Sequence, residues 1–393
     1  MSVTAAAGFE AAGIACGIKD GGVPDLALVA TADRRPVTAA GVFTTNLAAA
    51  APVQVSREHL RNGEAAAVIL SSGNANAATG EQGRRDARRM CELTAQELGC
   101  APTDVLVCST GLIGYPLPMD AIEAGIPKLV AALGTDDAAG HAAADAILTT
   151  DTVRKEAYAA LDFDGASAVA GLAKGAAMLS PAMATMLAVL TTDASVEPSE
   201  LHGSLQRAVD LSFNALSVDG ATSTNDTVLV LARGAGASIT GRDLHAFTDV
   251  LADVCRDLAA QMAADAEGAT KRARIVVRGA RSGADAQVAA RAVADSQLVQ
   301  CSLNGEDPYW GRVLSELGAS GAFLDPEAVE IAYNDVVACR NGVDAAPDPA
   351  VLREVMAGRD LEITCDLHLG MGEAAVLTTD LSHAYIDENR GTS

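Results

Sequence analysis

The chain has 393 residues, enough for two domains or one large fold with a well-filled core. Hydrophobic residues make up 49% of it and aromatics only 3%, so this is a globular chain whose core is built from small aliphatic side chains. A formal net charge of −23, with no basic stripe anywhere, excludes a nucleic-acid binder because such a surface repels phosphate backbones.

In chain order, apolar β-rich runs predict strands at Leu26–Thr31, Ala39–Thr44 and Ala66–Leu70. A helix is expected over Glu81–Glu97 with Thr79 as its cap, then a strand at Val105–Cys108. Helices follow at Met119–Leu133 and Asp137–Ile147. Strand Met186–Leu190 precedes helix Pro198–Phe213, and strand Thr227–Ala232 precedes helix Gly241–Ala266, with Thr240 as a cap. The last third reads as strand Arg274–Arg278, helix Ala284–Gln297, strand Val329–Tyr333, helix Asp348–Met356 and strand Leu361–Leu367. Strands mixed with helical pairs imply a layered α/β or α+β fold. Leu-Thr-Thr-Asp recurs at Leu148–Asp151, Leu190–Asp193 and Leu377–Asp380, each expected to end a strand with a polar turn.

No run reaches the roughly 18 apolar residues of a membrane span. The alanine-rich start lacks a basic segment and is broken by Glu10, so no signal peptide is expected and the expected location is the cytoplasm. The eight cysteines (Cys16, Cys91, Cys100, Cys108, Cys255, Cys301, Cys339 and Cys365) form no CxxC and read as buried free thiols. No Gly-Lys-Ser/Thr, no GxGxxG after a strand and no GxSxG occurs. None of the six histidines forms a close ligand pair, so a zinc site has little support, and with so few histidines a general base of another kind becomes more plausible.

The informative stretch runs from Lys174 to Asp193: a glycine turn with one lysine, a proline-marked bend at Pro181, then an apolar strand headed by Thr185. A threonine there can be an ordinary core residue, since β-branched side chains suit strands. It can also be a nucleophile held inside the chain until the chain cuts itself. The Thr185 hydroxyl would attack the Ala184 carbonyl in an N-to-O acyl shift, and hydrolysis of the ester would free the Thr185 amine. That amine, with an unperturbed pKa of about 7.7–8.0, could then take the proton from its own hydroxyl.

The segment Lys174-Gly175-x-x-Met178-x-x-Pro181-x-Met183-Ala184-Thr185-Met186-Leu187, followed by Thr191-Thr192-Asp193-Ala194, resembles the cleavage segment of the ornithine acetyltransferase (glutamate N-acetyltransferase) family. Further stretches resemble family motifs in the family's order. They include Phe43–Asn46 with Ala51–Val53, Ser72–Gly80, Ser109–Gly114, Leu148–Thr152, Phe213-Asn214, Asp219-Gly220, Thr222–Thr227, Glu267–Lys271 and Asp307–Arg312, and they cover nearly the whole chain.

The resemblance implies Thr185 as nucleophile, cleavage between Ala184 and Thr185, and an oxyanion hole at Thr110 and Gly111. It implies substrate contacts at Lys174, Glu267, Asn389, Thr185 and one of Thr149 or Thr150, with Ser393 as a terminal contact. It implies an αββα-type layered sandwich with two lobes, an N-terminal-nucleophile-like fold. The fragments 1–184 and 185–393 would stay associated as an α2β2 heterotetramer. The implied reaction moves an acetyl group from N2-acetyl-L-ornithine to L-glutamate without metal or organic cofactor, and acetyl-CoA use would mark a bifunctional subtype. A self-processing aminopeptidase, a specialised-metabolism acetyltransferase of the same family and a non-catalytic scaffold are the other readings. The chain departs from the family at Ala221, often acidic there, at Tyr309, often asparagine, and at its end, which is one residue short after Asn389.

Overall fold

The computed structural model describes residues 1–163, 166–179 and 186–391. Ala184, Thr185 and Ser393 lie outside the described residues. The first unit opens with β1 (Phe9–Ile14), β2 (Leu26–Thr31) and β3 (Val37–Phe43), then α1 (Ala51–His59), β4 (Glu64–Ala65), β5 (Ala67–Asn74), α2 (Gly80–Leu98) and β6 (Val105–Leu112). α3 (Met119–Ala131) and α4 (Asp137–Ala146) precede β7 (Lys155–Phe163), β8 (Ala166–Lys174) and β9 (Leu187–Ser195). α5 (Pro198–Asp210), β11 (Thr227–Ser238) and α6 (Gly241–Ala264) follow, while β10 (Leu216–Ser217), between α5 and β11, belongs to the second unit.

These elements build two sheets, β1-β2-β5-β6 and β4-β3-β11-β9-β8-β7. Alternate residues of each point into a shared apolar layer: Ala27, Val29, Val68, Leu70 and Leu106 from one sheet, Leu172, Leu187, Val189, Leu229 and Leu231 from the other. The opposite face of the first sheet, with Leu26, Leu28, Ile69, Val105 and Val107, packs on Met90, Ala95, Ile122, Ile126 and Leu129 of α2 and α3. α5 packs on β3, and α6 is stitched to β7 by Gln261, which exchanges bonds with the Glu156 backbone at 3.2 and 2.9 Å. The expected αββα layering is therefore present in this unit.

The second unit holds the sheet β10-β17-β12-β16-β13-β14-β15, from β12 (Arg272–Ala280), β13 (Glu330–Tyr333), β14 (Val336–Arg340), β15 (Val343–Asp344), β16 (Asp360–Asp366) and β17 (Gly372–Thr379). α7 (Gly283–Ala294), α8 (Gln297–Asn304), α9 (Trp310–Ala319) and α10 (Pro349–Met356) bury Ala289, Val293, Val299, Leu303, Leu317 and Met356 with Ile275, Ile331 and Ile363 of the sheet. The unit ends in α11 (His383–Glu388). The first unit takes residues 1–214 and 221–262 and the second 215–220 and 263 onward, so the boundaries fall independently of the expected cleavage point.

Several expectations change. Thr79 does not cap α2; its hydroxyl turns back to the Asn76 carbonyl and side chain at 3.2 and 2.7 Å. The helix expected over Ala284–Gln297 breaks after Ala294, and Ser296 caps a new one by accepting from the Val299 N–H. Of the three Leu-Thr-Thr-Asp copies only Leu377–Asp380 closes a strand; Leu190–Asp193 lies inside β9 and Leu148–Asp151 in the loop after α4. Cys301 is exposed on α8 and Cys16 and Cys100 are half-buried, whereas Cys91, Cys108, Cys255, Cys339 and Cys365 are buried as expected.

Candidate active site

β6 does not stop at Cys108. It continues through Ser109, Thr110, Gly111 and Leu112, paired in parallel with Ser71, Ser72 and Gly73 of β5 before the register slips at Asn74. Gly111 adopts φ +129°, and a Cβ there would lie 2.3 Å from the Gly73 carbonyl carbon, so only glycine fits between the strands. Thr110 is 1% exposed, and its hydroxyl has no hydrogen-bond partner among the described residues. A buried hydroxyl left unmatched is costly, and it is a donor available to an incoming oxygen.

A cavity of about 20 Å³, room for about one water, lies here, lined by Ala75, Thr110, Gly111, Ile113, Met178, Ser223, Thr224 and Asn225. No histidine lines it. A larger cavity of about 360 Å³, lined in part by Phe43, Arg57, Arg61 and His202, touches none of the expected site residues.

The loop before β11 is clamped to this strand end. The Asn225 amide donates to the Ser109 carbonyl at 2.8 Å and the Ala75 carbonyl at 2.6 Å. Next to it, Asp226 accepts the Met186 N–H at 3.1 Å, and its backbone carbonyl accepts from the Thr44 N–H at 2.9 Å. Burial pushes the Asp226 carboxyl well above the ordinary carboxylate range; the Met186 N–H, the Ser223 and Thr44 side chains and Lys174 pull the other way without overcoming it.

Lys174 ends β8 directly across from Leu187, the first residue of β9. It is 2% exposed, donates to the Thr149 hydroxyl at 2.7 Å and stands 3.4 Å from Asp151. Asp151 also accepts from Lys155 at 2.7 Å and from the Gly175 N–H at 2.7 Å. Burial alone would raise this carboxyl, but Lys174 and Lys155 outweigh it and hold it well below the usual range. Lys19 joins the group through the Leu148 carbonyl at 2.9 Å, so three of the chain's five lysines meet at this loop. Thr149 faces Lys174, whereas Thr150 is exposed.

Glu267 and Asn389 belong to the second unit, where the Asn389 amide donates to Glu267 at 2.7 Å. Gly268, at φ +64°, lets α11 approach: a Cβ would sit 2.2 Å from the Tyr385 N–H nitrogen. Ser382 both caps α11 and donates to the Gly268 carbonyl at 2.6 Å, so the chain near Asn389 is tied down. Among the described residues no three His, Cys, Asp or Glu side chains converge as a metal-holding group.

The structure thus brings Thr110 beside Gly111, Lys174 beside Thr149, and Glu267 beside Asn389. Sequence reasoning missed Asp151, Lys155, Asn225 and Asp226. Asp151 lay inside the stretch Leu148–Thr152 that resembles a family motif, but no role was attached to it. Asn225 and Asp226 stood in a polar run ahead of an apolar strand, a place where side chains often tie loops. Lys155 carried no signal beyond the scarcity of lysine.

A model of the ArgJ family matches residues 10–391. The arginine biosynthesis bifunctional protein ArgJ of Symbiobacterium thermophilum is 47% identical over 392 residues, 98% of this chain and 97% of its own. That of Mycolicibacterium paratuberculosis is 48% identical over 399 residues, 100% of this chain and 96% of its own. Among solved structures, the argJ protein of Bacillus halodurans aligns with a TM-score of 0.50 at 32% identity, covering 52% of this chain and 98% of that one.

Proposed function

The chain belongs to the ArgJ family, and from that premise we propose that it is an arginine-biosynthesis acetyltransferase that moves the acetyl group of N2-acetyl-L-ornithine to L-glutamate through an acetyl-Thr185 intermediate. The observation that carries the reading is the buried Thr110 hydroxyl beside Gly111, without a hydrogen-bond partner among the described residues, on a strand end that Asn225 clamps to the loop holding Met186.

The steps follow from the bonds. The Thr185 hydroxyl oxygen attacks the Ala184 carbonyl carbon; the C–N bond breaks, and the proton lost by the hydroxyl ends on the departing nitrogen. Water opens the ester and leaves fragments 1–184 and 185–393. The freed α-amine then accepts the hydroxyl proton when Thr185 attacks the acetyl carbonyl of acetylornithine. Ornithine leaves, and the amine of glutamate takes the acetyl group. Thr110 and Gly111 donate to the oxyanion in each step, each donor being worth about 3 kcal/mol. Lys174 suits a substrate carboxylate, with Thr149 the threonine we assign beside it. Glu267 suits an ammonium, and Asn389 and Ser393 complete the contacts.

No metal or organic cofactor enters this mechanism. The fragments remain together as an α2β2 heterotetramer in the cytoplasm, and acetyl-CoA serves as a second donor in the bifunctional form. One assay tests the reading: transfer from N2-acetylornithine to glutamate, with and without acetyl-CoA. Production of free acetate with no N-acetylglutamate would defeat it in favour of a hydrolase.

A further inference from the structure

Met186 is the first described residue after position 185, and two bonds fix it. Its N–H donates to Asp226 Oδ1 at 3.1 Å, and its carbonyl accepts from the Thr227 N–H at 3.2 Å. The parallel β9–β11 ladder starts one residue later, with Leu187 opposite Thr227. The Asp226 side chain therefore extends the pairing one residue beyond the ladder, toward position 185.

Asp226 is 0% exposed, and its Oδ2 has no hydrogen-bond partner among the described residues. A core carboxyl with an unmatched oxygen weakens a fold, so its presence calls for a use other than stability. Its surroundings are fixed from two directions. Thr44 holds its backbone carbonyl, and the adjacent Asn225 holds the carbonyl of Ser109, the residue before Thr110. One short segment thus grips the oxyanion strand with Asn225 and the amide after position 185 with Asp226.

We propose that Asp226 is a positioning residue for the reactions at position 185: through the Met186 N–H, its carboxyl fixes the backbone that follows the nucleophile, from the same segment whose Asn225 holds the strand of Thr110 and Gly111. The proposal rests on the reading of Thr185 as nucleophile. The groups that bear on Asp226 are Lys174 from β8, the Ser223 and Thr44 hydroxyls and the Met186 N–H. Burial outweighs them and favours the neutral carboxyl, and the geometry gives it one task, to accept the Met186 N–H at a fixed place. Asparagine can do the same; a shorter or longer side chain cannot.

The test compares full-length wild type with Asp226→Asn, Asp226→Ala and Asp226→Glu. Chain cutting is followed by intact mass over time, acetyl transfer by kcat and KM, and folding by thermal unfolding. Ala and Glu should slow cutting and kcat by about a hundredfold with KM little changed, as expected for a misplacement of about 1 Å. Asn should recover both to within about tenfold. If the Ala variant does not fold, the Asn and Glu pair decides. A Glu or Ala variant that cuts and turns over at the wild-type rate overturns the proposal, as does a loss that merely tracks the folded fraction. So does an Asn variant as slow as Ala, because the reaction would then be using a titrating proton. A wild-type chain that stays uncut overturns the reading of Thr185 itself, and is distinguished before any variant is made.

Discussion

Asp151 and Asp226 are both buried carboxyls of the first unit, and they answer pH with opposite signs. Asp151 lies between Lys155 and Lys174 and is held below its ordinary range. A folded pKa below the unfolded one gives stability that is present above about pH 4 and is lost as pH falls through the folded value. Asp151→Asn removes the carboxylate between two buried ammonium groups and should cost about 3–5 kcal/mol at pH 7. In urea unfolding the deficit should shrink below about pH 4; a deficit that persists unchanged into acid would show that charge is not its cause. Asp226 is raised instead, so its contribution is complete below about pH 4 and declines as pH climbs toward the folded value. Asp226→Asn should therefore gain stability over wild type as pH goes from about 4 to 7, and a gap that is flat with pH would refute the assignment. Thr110→Ala belongs to the same scale. One oxyanion donor is worth about a hundredfold in turnover, and the loss should fall on kcat because the bond strengthens only in the transition state. A loss confined to KM would make Thr110 a substrate contact.

The strand end of β6 and the loop before β11 work as one element, joined by Asn225. Asn225→Ala strips bonds from two buried carbonyls, those of Ser109 and Ala75, at about 1–3 kcal/mol each. The expected result is a lower Tm together with slower chain cutting; a lower Tm with cutting unchanged would separate the clamp from the chemistry. At this scale the sequence was legible where apolar runs were dense. Leu26–Thr31, Val105–Cys108 and Thr227–Ala232 all fall in observed strands because both their faces are buried between layers. Lys155–Phe163 was not legible. Its Ala, Glu, Leu and Lys favour helices, and only pairing with β8 makes it a strand. Trp310–Ala319 was hidden similarly, by glycines at both ends and a short apolar stripe. Of the site, Thr110, Gly111 and Lys174 were visible through the motifs. Asn225 also stood in a motif, Thr222–Thr227, but its clamping role was not legible, because partners 116 and 150 residues away in the chain leave no local pattern.

For the whole molecule, intact-mass measurement should find two pieces, 1–184 and 185–393, that co-migrate under native conditions. A purified active enzyme of one uncut chain would contradict this. The six-stranded sheet bears on what such a cut means. Its order β4-β3-β11-β9-β8-β7 puts strands from residues before the cut at both ends and strands from after it in the middle. During synthesis β3 leaves the ribosome long before β11, its antiparallel partner, exists. On the proposed cut, a chain severed before the sheet closed would hold the pairs β4–β3 and β7–β8, with β3 and β8 each lacking its inner neighbour, so the cut is expected to follow assembly. If the chain is cut before Thr185 as proposed, rejoining after denaturation becomes a bimolecular event between two incomplete sheets, and heat damage that an uncut chain could undo would become permanent.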